Sequence, residues 1–319
     1  MVFQILAFIV SCVVLSLLSK SLVKTLVQIA KYLGWREFVV GFFVMAFATS
    51  LSNLFVDVSA ALQGFPQLAF GDVVGGNLAD LTLVMAIAVI FSKKGIPTKS
   101  KMVQTSAFFT AIIAVLPLFL ILDGDLDRAD GVILIASFFV YVIWLFSKGE
   151  NFEKVYKTNT KDKNAMDAFW FLKNFAKLIL LVILLLGASY VVVDTAQFFA
   201  SSLGVSLALV GILIVGLGNC FPEAYFSIIS ARKGKGWMIL GDLMGSVIVS
   251  ATLVLGIVAL ITPFRIDDFS PFLIARAFTL IAVVLYLFII RTGKTITKKE
   301  GLILLLIYIL FLLAEIFMK

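Results

Sequence analysis

The chain has 319 residues, of which 62% are hydrophobic and only 14% are charged, and its mean hydropathy is +1.12. This composition is too apolar to cover the surface of a soluble domain, so it excludes a soluble protein. A formal net charge of +7 would suggest nucleic-acid binding in a soluble protein, but in a membrane protein the placement of the charges indicates orientation. We therefore expect membrane lipid around the chain and no nucleic-acid partner.

Ten apolar segments are long enough, or nearly so, to cross the hydrocarbon core as helices, for which roughly 20 residues are needed. They are continuously apolar, whereas strands of a membrane barrel would be segments of about 10 residues with alternating polarity. The sequence therefore predicts an all-α polytopic membrane protein with about ten transmembrane helices. The segments lie near residues 2–18, 38–62, 66–91, 102–122, 131–147, 174–203, 205–231, 237–263, 270–290 and 301–317.

The first apolar segment has no Lys or Arg before it and no clear small-residue cleavage site after it. We interpret it as an uncleaved first helix, with a cleaved leader as the alternative. Cys12 and Cys220 are the two cysteines, and both fall within apolar segments, so the sequence suggests no disulfide framework.

Basic residues are concentrated in alternate loops, which hold most of the 26 Lys and Arg residues, while the loop DGDLDRAD at 123–130 is acidic. Because loops rich in Lys and Arg stay in the cytoplasm, this pattern predicts that both termini lie outside. We expect an integral, multi-pass protein of the plasma membrane. The basic loops lie near 20–36, 93–101, 148–177, 232–235 and 291–299.

The chain repeats itself after 170 residues without a gap, so that residues 46–87 align with residues 216–257. Five segments, an odd number, precede the second copy, which therefore crosses the membrane in the opposite direction. We predict a first inverted repeat of five helices at 1–147, a cytoplasmic linker at 148–173 and a second inverted repeat at 174–319. The alignment places Gly64 on Gly234, Gly71 on Gly241, Asp72 on Asp242, Gly75 on Gly245, Thr82 on Thr252 and Asn53 on Glu223.

Inverted repeats are typical of secondary transporters, whose binding sites lie near the bilayer midplane between interrupted helices. Pro222 cannot donate a helical hydrogen bond, and Gly216 and Gly218 precede it, so we expect a helix break that frees carbonyl oxygens for a cation. The first repeat has Ser52 at the position of Pro222 and so lacks this helix-breaking residue.

Five carboxylates lie in the four repeat helices, and no Lys or Arg occurs from 38 to 92 to neutralise those of the first repeat. A charge at the bilayer centre costs roughly 2.5–3.5 kcal/mol, so bound cations, bound protons, water or helix capping must compensate them. Oxygen ligands suit hard cations such as Ca²⁺, Na⁺ or Mg²⁺. Because the chain has no histidine, any proton coupling would have to use carboxylates. The five are Asp57, Asp72, Asp80, Glu223 and Asp242.

Two motifs in each repeat, ATSLSN with GDVVGGNLAD and GNCFPE with GDLMGSVIVS, resemble the α-repeats of the cation/calcium exchanger superfamily, which contains sodium/calcium and proton/calcium antiporters. Each repeat of that family carries a motif close to G-T-S-L-P-E and, further on, one close to G-N-x-x-G-S-N-x-x-(N/D). The resemblance covers essentially the whole chain, because the helix count, the linker and the outward termini also agree. It implies cation antiport by alternating access.

The resemblance also implies the ligands of a central cation site. The motif glutamates carry over to Asn53 and Glu223, and the residues that close the second motif carry over to Asp80 and Ser250, so only two of these four positions are acids here. The motif proline is replaced by Ser52 in the first repeat. The candidate cation ligands are Glu223, Asp80, Asn53, Asn219, Thr49, Ser50, Ser246 and Ser250.

Three further acids are candidates for accessory roles. Asp57 follows Asn53 by one helical turn and therefore shares its face; it either replaces the missing acid or lines an aqueous vestibule. Asp72 and Asp242 are expected to cap or bridge their helices, with an accessory cation or proton role as the alternative.

The expected function is exchange of calcium for sodium or protons at a midplane site of oxygen ligands. The alternatives are an antiporter for another cation, such as Na⁺/H⁺ exchange or another divalent ion, and a transport-inactive structural or regulatory member of the family. An intramembrane aspartyl protease would need Gly-x-Gly-Asp, but the chain reads AFGD and ILGD, and a metalloprotease would need histidines that the chain lacks. We therefore expect a protein without enzymatic activity or cofactor that transports inorganic cations. The sequence does not indicate an oligomeric state.

Overall fold

The computed structural model describes residues 1–32, 50–147, 168–266 and 270–317. Ten helices lie in these ranges; nine of them are long and apolar enough to cross a membrane, and the tenth, α2, is a shorter apolar helix. Part of the second predicted segment, 38–49, lies outside the described residues. The predicted all-α, multi-pass membrane fold with ten helices is confirmed. The helices are α1 (Val2–Tyr32), α2 (Ser50–Leu62), α3 (Pro66–Phe91), α4 (Lys101–Leu120), α5 (Arg128–Ser147), α6 (Ala168–Leu203), α7 (Leu207–Arg232), α8 (Gly236–Ile261), α9 (Ser270–Thr292) and α10 (Lys298–Phe317).

The 170-residue spacing of the sequence reappears in the helix boundaries. α3 and α8 begin and end at matching positions, as do α5 and α10. The tight turns that precede α3 and α8 contain Gly64 and Gly234, whose φ angles of 81° and 69° lie in the left-handed region that favours glycine. The fold therefore consists of two inverted five-helix repeats. Most of the predicted linker at 148–173 lies outside the described residues.

Among the described residues, two short antiparallel ladders join the repeats to each other. β1 (Ile96–Pro97) of the first repeat pairs with β4 (Thr295–Ile296) of the second, and β2 (Asp125–Leu126) pairs with β3 (Phe264–Arg265). Each ladder thus contains one strand from each half of the chain. Strands β2 and β4 match at the 170-residue spacing, whereas β3 begins two residues before the counterpart of β1.

Helices α3 and α8 form the centre of the bundle. Their most apolar windows are 83% and 72% buried, whereas that of α1 is 22% buried and presents many large apolar side chains on the outside. This exposed apolar surface matches a lipid-facing position for the outer helices. The carboxylates of α3 and α8 are therefore enclosed by protein instead of lipid.

In the described part of the chain, three helices contain a π-helical segment: Asp80–Val84 in α3, Gly211–Val215 in α7 and Val249–Val254 in α8. At the 170-residue spacing the segments of α3 and α8 end at matching positions, and that of α8 begins one residue earlier. In each of them a threonine hydroxyl donates to the carbonyl four residues earlier, Thr82 to Leu78 and Thr252 to Ile248. Such segments are rare and frequently occur at functional sites.

The break predicted at Pro222 is present but small. α7 is interrupted only at Cys220, which separates the helical residues Gly216–Asn219 from Phe221–Arg232. The backbone at Cys220 stays near the right-handed helical region, with φ −78° and ψ −6°. Pro222 lies in the first turn after the interruption, where a missing N–H removes no helical hydrogen bond.

Helices α3 and α7 cross with their backbones in contact. A Cβ atom added to Gly75 would overlap the carbonyl oxygen of Ile212, and one added to Gly71 would overlap that of Ala208. From the other helix, a Cβ on Gly211 would overlap the carbonyl oxygen of Leu68. Small residues that allow this close approach are typical of helix packing in membranes. The contact joins the first repeat to the second at the centre of the molecule.

We predict that Gly75→Ala lowers the thermal stability of the purified protein in detergent, because overpacking of a tight contact costs about 1–3 kcal/mol. Gly187→Ala is the matched control, since Gly187 lies in the exposed face of α6 and an added Cβ would meet nothing within 4 Å. Thermal unfolding followed by circular dichroism would compare the two. Equal melting temperatures for both variants and the unmutated protein would contradict the α3–α7 contact.

Candidate cation site

A narrow pocket lies between α2, α3 and α8 in the centre of the bundle. Three of the four central positions implied by the family motifs, Asn53, Asp80 and Ser250, line it together. Two of the accessory candidates, Asp57 and Asp72, line the same pocket. The fold therefore brings oxygen-bearing side chains of both repeats to one place. The lining residues are Asn53, Asp57, Asp72, Val73, Gly76, Asn77, Asp80 and Ser250.

Helix α2 contributes Asn53 and Asp57 because residues four apart share one helical face. The amide oxygen of Asn53 accepts a hydrogen bond from the Ser52 hydroxyl at 3.3 Å, so the serine that stands at the motif proline position supports the amide. Asp57 is 1% exposed.

Helix α3 contributes Asp80 at the start of its π-helical segment. Asp80 is buried beside Ser246 of α8 and Cys220 of α7, and its Oδ1 has no hydrogen-bond donor within the described ranges. The matching position of the second repeat, Ser250, lies in the π-helical segment of α8. Both residues that close the second motif thus lie where the regular helical hydrogen-bond pattern changes.

Asp72 links the two repeats. Its Oδ2 accepts a hydrogen bond of 2.6 Å from the Asn219 side-chain amide, which connects α3 to α7. Asp72 lies beyond the first turn of α3, which begins at Pro66, so it bridges two helices and does not cap its own. The close glycine crossing of α3 and α7 is what allows such short side chains to meet.

Glu223 is fully buried but lies outside the lining of the pocket. Its Oε1 accepts a hydrogen bond from the Ser246 hydroxyl at 3.4 Å, and Ser246 also lies beside Asp80. The Cys220 thiol donates to the Gly76 carbonyl at 3.5 Å and is close to Asp80, Glu223 and Asp72. Ser246 and Cys220 therefore lie between Glu223 and the acids of the first repeat.

The remaining candidates are more distant from the pocket or are not described. Ser50 is fully buried at the start of α2 but does not line the pocket. Asp242 is 3% exposed in α8 and is likewise absent from the lining. Thr49 lies outside the described residues.

The electrostatic environment of the pocket is negative. Asp57, Asp72 and Asp80 line it, and Glu223 is close by, while α2, α3 and α8 contain no Lys or Arg. Charges interact strongly at low effective dielectric constant, so this arrangement attracts cations and repels anions.

The side-chain arrangement limits how an ion could be held. Among the described residues, no three Asp, Glu or Cys side chains converge as a metal-binding group. A cation in the pocket would therefore be coordinated by one or two carboxylates together with amide, hydroxyl and backbone oxygens. Mixed oxygen ligands of this kind are those that Ca²⁺ and other hard cations accept.

Sequence reasoning missed two polar residues near the acids. Asn77 lines the pocket, and its place in the second motif, three residues before Asp80, could have identified it. Tyr286 of α9 is buried close to Asp80, and its hydroxyl has no hydrogen-bond partner in the described part of the chain. No motif signals Tyr286, because it lies outside the repeat motifs and reaches the site only through helix packing.

Two inverted repeats of membrane helices around a buried, acid-lined pocket are the organisation of a secondary transporter. The family model described as "Sodium/calcium exchanger protein" matches residues 3–147 and 173–317. The chain therefore belongs to the sodium/calcium exchanger family of cation antiporters. The two matched ranges correspond to the two repeats.

Several curated proteins are similar over most of their length. "Sodium/calcium exchanger MaX1" of Methanosarcina acetivorans is 27% identical, over 91% of this chain and 92% of that protein. "Putative antiporter CaxA" of Alkalimonas amylolytica is 26% identical, over 88% and 89%. "Inner membrane protein YrbG" of Escherichia coli is 25% identical, over 80% and 78%.

Solved structures of the sodium-calcium exchanger NCX_Mj share the fold. The structure soaked with 2.5 mM Na⁺ and 10 mM Sr²⁺ matches with a TM-score of 0.63 and 22% identity, over 98% of this chain and 99% of that chain. The structure soaked with 10 mM Na⁺ and zero Ca²⁺ matches with a TM-score of 0.64 over the same shares. At this level of identity the likeness establishes the fold.

We predict that Asn219→Ala lowers the melting temperature in detergent, because loss of a hydrogen bond to a buried charged group costs about 1–3 kcal/mol. Ser137→Ala is the control, since the half-buried Ser137 donates a hydrogen bond to the Ile133 carbonyl of its own helix. A melting temperature for Asn219→Ala that equals that of the control would count against the Asp72–Asn219 link between the repeats.

Proposed function

We propose that this protein is a secondary-active antiporter that exchanges calcium for sodium or protons by alternating access, with no enzymatic activity and no cofactor. The observation that carries the proposal is the pocket in which Asp80 of the first repeat and Ser250 of the second meet, enclosed by the bundle and surrounded by helices without basic residues.

The charge of the pocket explains why such a site would exchange ions. Several buried carboxylates without a compensating positive charge are strongly unfavourable in a membrane. The change of access would therefore occur with an ion bound, and one ion would leave only as another replaces it. Competition of two cations for the same oxygens would then couple their gradients.

Oxygen ligands and the relatives support calcium and sodium as the ions. The side chains around the pocket are carboxylates, amides and hydroxyls, which favour hard cations. MaX1 is named as a sodium/calcium exchanger, and the NCX_Mj structures were obtained with Na⁺ and with Sr²⁺ or Ca²⁺. The candidate ligands are Glu223 and Asp80 with the neutral oxygens of Asn53, Asn219, Thr49, Ser50, Ser246 and Ser250.

A second candidate function is exchange of cations of lower charge, such as Na⁺ for H⁺. The observation that favours it is that Asn53 and Ser250 are neutral at two of the four central positions. A transport-inactive member of the family would also be compatible with this loss of charge. Ion-dependent uptake distinguishes these possibilities.

We expect Ca²⁺ uptake into proteoliposomes that are preloaded with Na⁺ or with acid, and we expect Glu223→Gln to lose it, because the variant keeps the shape of the side chain and removes its charge. Radioactive calcium provides the measurement. Glu315→Gln is the control, because Glu315 is another buried acid and lies outside the pocket, in α10.

The gradient that drives uptake would identify the counter-ion. Absence of Ca²⁺ uptake under both gradients, with monodisperse protein, would rule out calcium exchange. The same vesicles assayed for Na⁺ uptake against a proton gradient would then test the second candidate.

We also propose that the protein lies in the plasma membrane with both termini outside, which the basic loops support. A peptide tag after residue 319 should be removed by protease added to intact cells, whereas a tag inserted in the 148–173 linker should be protected. The opposite pattern would reverse the proposed orientation.

A further inference from the structure

The two repeats carry an acid at different positions of the same helical face. Asn53 of the first repeat aligns with Glu223 of the second, and four residues further on Asp57 aligns with Ser227. Four residues are about one helical turn, so both positions lie on one face. The first repeat therefore has its acid one turn further along than the second repeat.

Asp57 faces the pocket, and its carboxylate receives no hydrogen bond from the described residues. It is 1% exposed and lines the pocket together with Asn53 and Asp80. Within the described ranges, no hydrogen-bond donor reaches either of its carboxylate oxygens. A buried carboxylate that receives no hydrogen bond is strongly disfavoured unless a positive charge is close to it.

A second carboxylate lies next to Asp57. The side chain of Asp72 comes from α3 and interacts directly with that of Asp57, while its Oδ2 is held by Asn219. Two adjacent carboxylates repel each other unless something positive lies between them. The second repeat has no such pair, because Ser227 stands where the first repeat has Asp57.

No basic side chain neutralises the pair from its own helices, since α2 and α3 contain no Lys or Arg. Neutral oxygens are available beside it, from Asn53 and Asn77 and from the backbone around Gly76. Two carboxylates and several neutral oxygens provide the charge and the ligand type that suit a divalent hard cation.

We propose that Asp57 and Asp72 form a cation-binding position between α2 and α3, in which Asp57 supplies the carboxylate that Asn53 lacks. The ion is an alkaline-earth cation such as Ca²⁺. The proposal rests on the proposed function, because this ion is the one that the antiporter carries. The resulting site is asymmetric. The acid of the first repeat, Asp57, lies one helical turn after Asn53, the residue that aligns with Glu223 of the second repeat.

The test uses three variants of the first repeat, Asp57→Ser, Asn53→Glu and both changes together, and two control variants, Asp57→Asn and Ser227→Ala. The double variant gives the first repeat the pattern of the second, with the acid moved back by one turn. The readout is the Ca²⁺ concentration that gives half of the maximal thermal stabilisation of the purified protein in detergent, which measures binding without transport. Calcium uptake into proteoliposomes is measured in parallel.

We expect Asp57→Ser to raise the half-maximal Ca²⁺ concentration by about tenfold or more, since affinity depends on the number of charged ligands. The double variant should return to within about threefold of the unmutated protein if the acid works from either turn. Ser227→Ala is the matched control at the same position of the second repeat and should leave the concentration unchanged. Asp57→Asn, which keeps the side-chain shape, should behave as Asp57→Ser does and separates loss of charge from loss of packing.

An unchanged half-maximal concentration in Asp57→Ser, with Ca²⁺ uptake by the unmutated protein intact, would overturn this proposal and leave the antiporter function standing. If Asp57→Ser weakened Ca²⁺ binding and the double variant did not recover it, the proposal would be overturned as well. The carboxylate would then be needed at residue 57 for another reason. If Asp57→Ser changed only the pH dependence of uptake, the pair would hold a proton and no metal. Absence of both stabilisation and uptake in the unmutated protein would instead refute calcium exchange itself.

Discussion

The backbone contact between α3 and α7 is the constraint on which the rest of the site depends. Glycines on both helices bring one helix of each repeat close enough for short side chains to meet across the crossing. Asp72 reaches Asn219 and Cys220 reaches the Gly76 carbonyl only at this separation. A larger residue at Gly71 or Gly75 would separate the acids of the first repeat from Glu223.

The electrostatics of the pocket follow from this packing. Burial in protein, and not in lipid, allows several acids to lie close together, but it does not neutralise them. Asp80 lies beside Ser246 of α8 and Cys220 of α7, and Asp72 accepts a hydrogen bond from Asn219. Asp57 lies against Asp72, and no described residue donates a hydrogen bond to its carboxylate. The uncompensated charge is therefore concentrated between α2 and α3, at one side of the central crossing.

Sequence reasoning succeeded where the signal is local and periodic. Apolar runs predicted the ten helices, and the recurrence of Gly64, Gly71 and Asp72 after 170 residues identified the repeats from the sequence alone. The π-helical segment at Asp80 could not be foreseen, because the choice between hydrogen-bond patterns depends on tertiary packing. The rotation of each helix about its own axis depends on tertiary packing, so the local sequence does not predict it. This rotation places Asp57 in the pocket lining and leaves Glu223 outside it, hydrogen-bonded to Ser246.

The two repeats carry their acidic residues at different positions, and this difference constrains how the sequence can evolve. If one five-helix unit formed such a site as a pair of identical copies, any substitution would affect both sides of the site. Here Asn53 and Asp57 align with Glu223 and Ser227, and each ladder takes one strand from each half. Two copies of the first half would have no acid at the Glu223 position, and two copies of the second would have none at residue 57. Once the copies share one chain, each can specialise, and neither half can then replace the other.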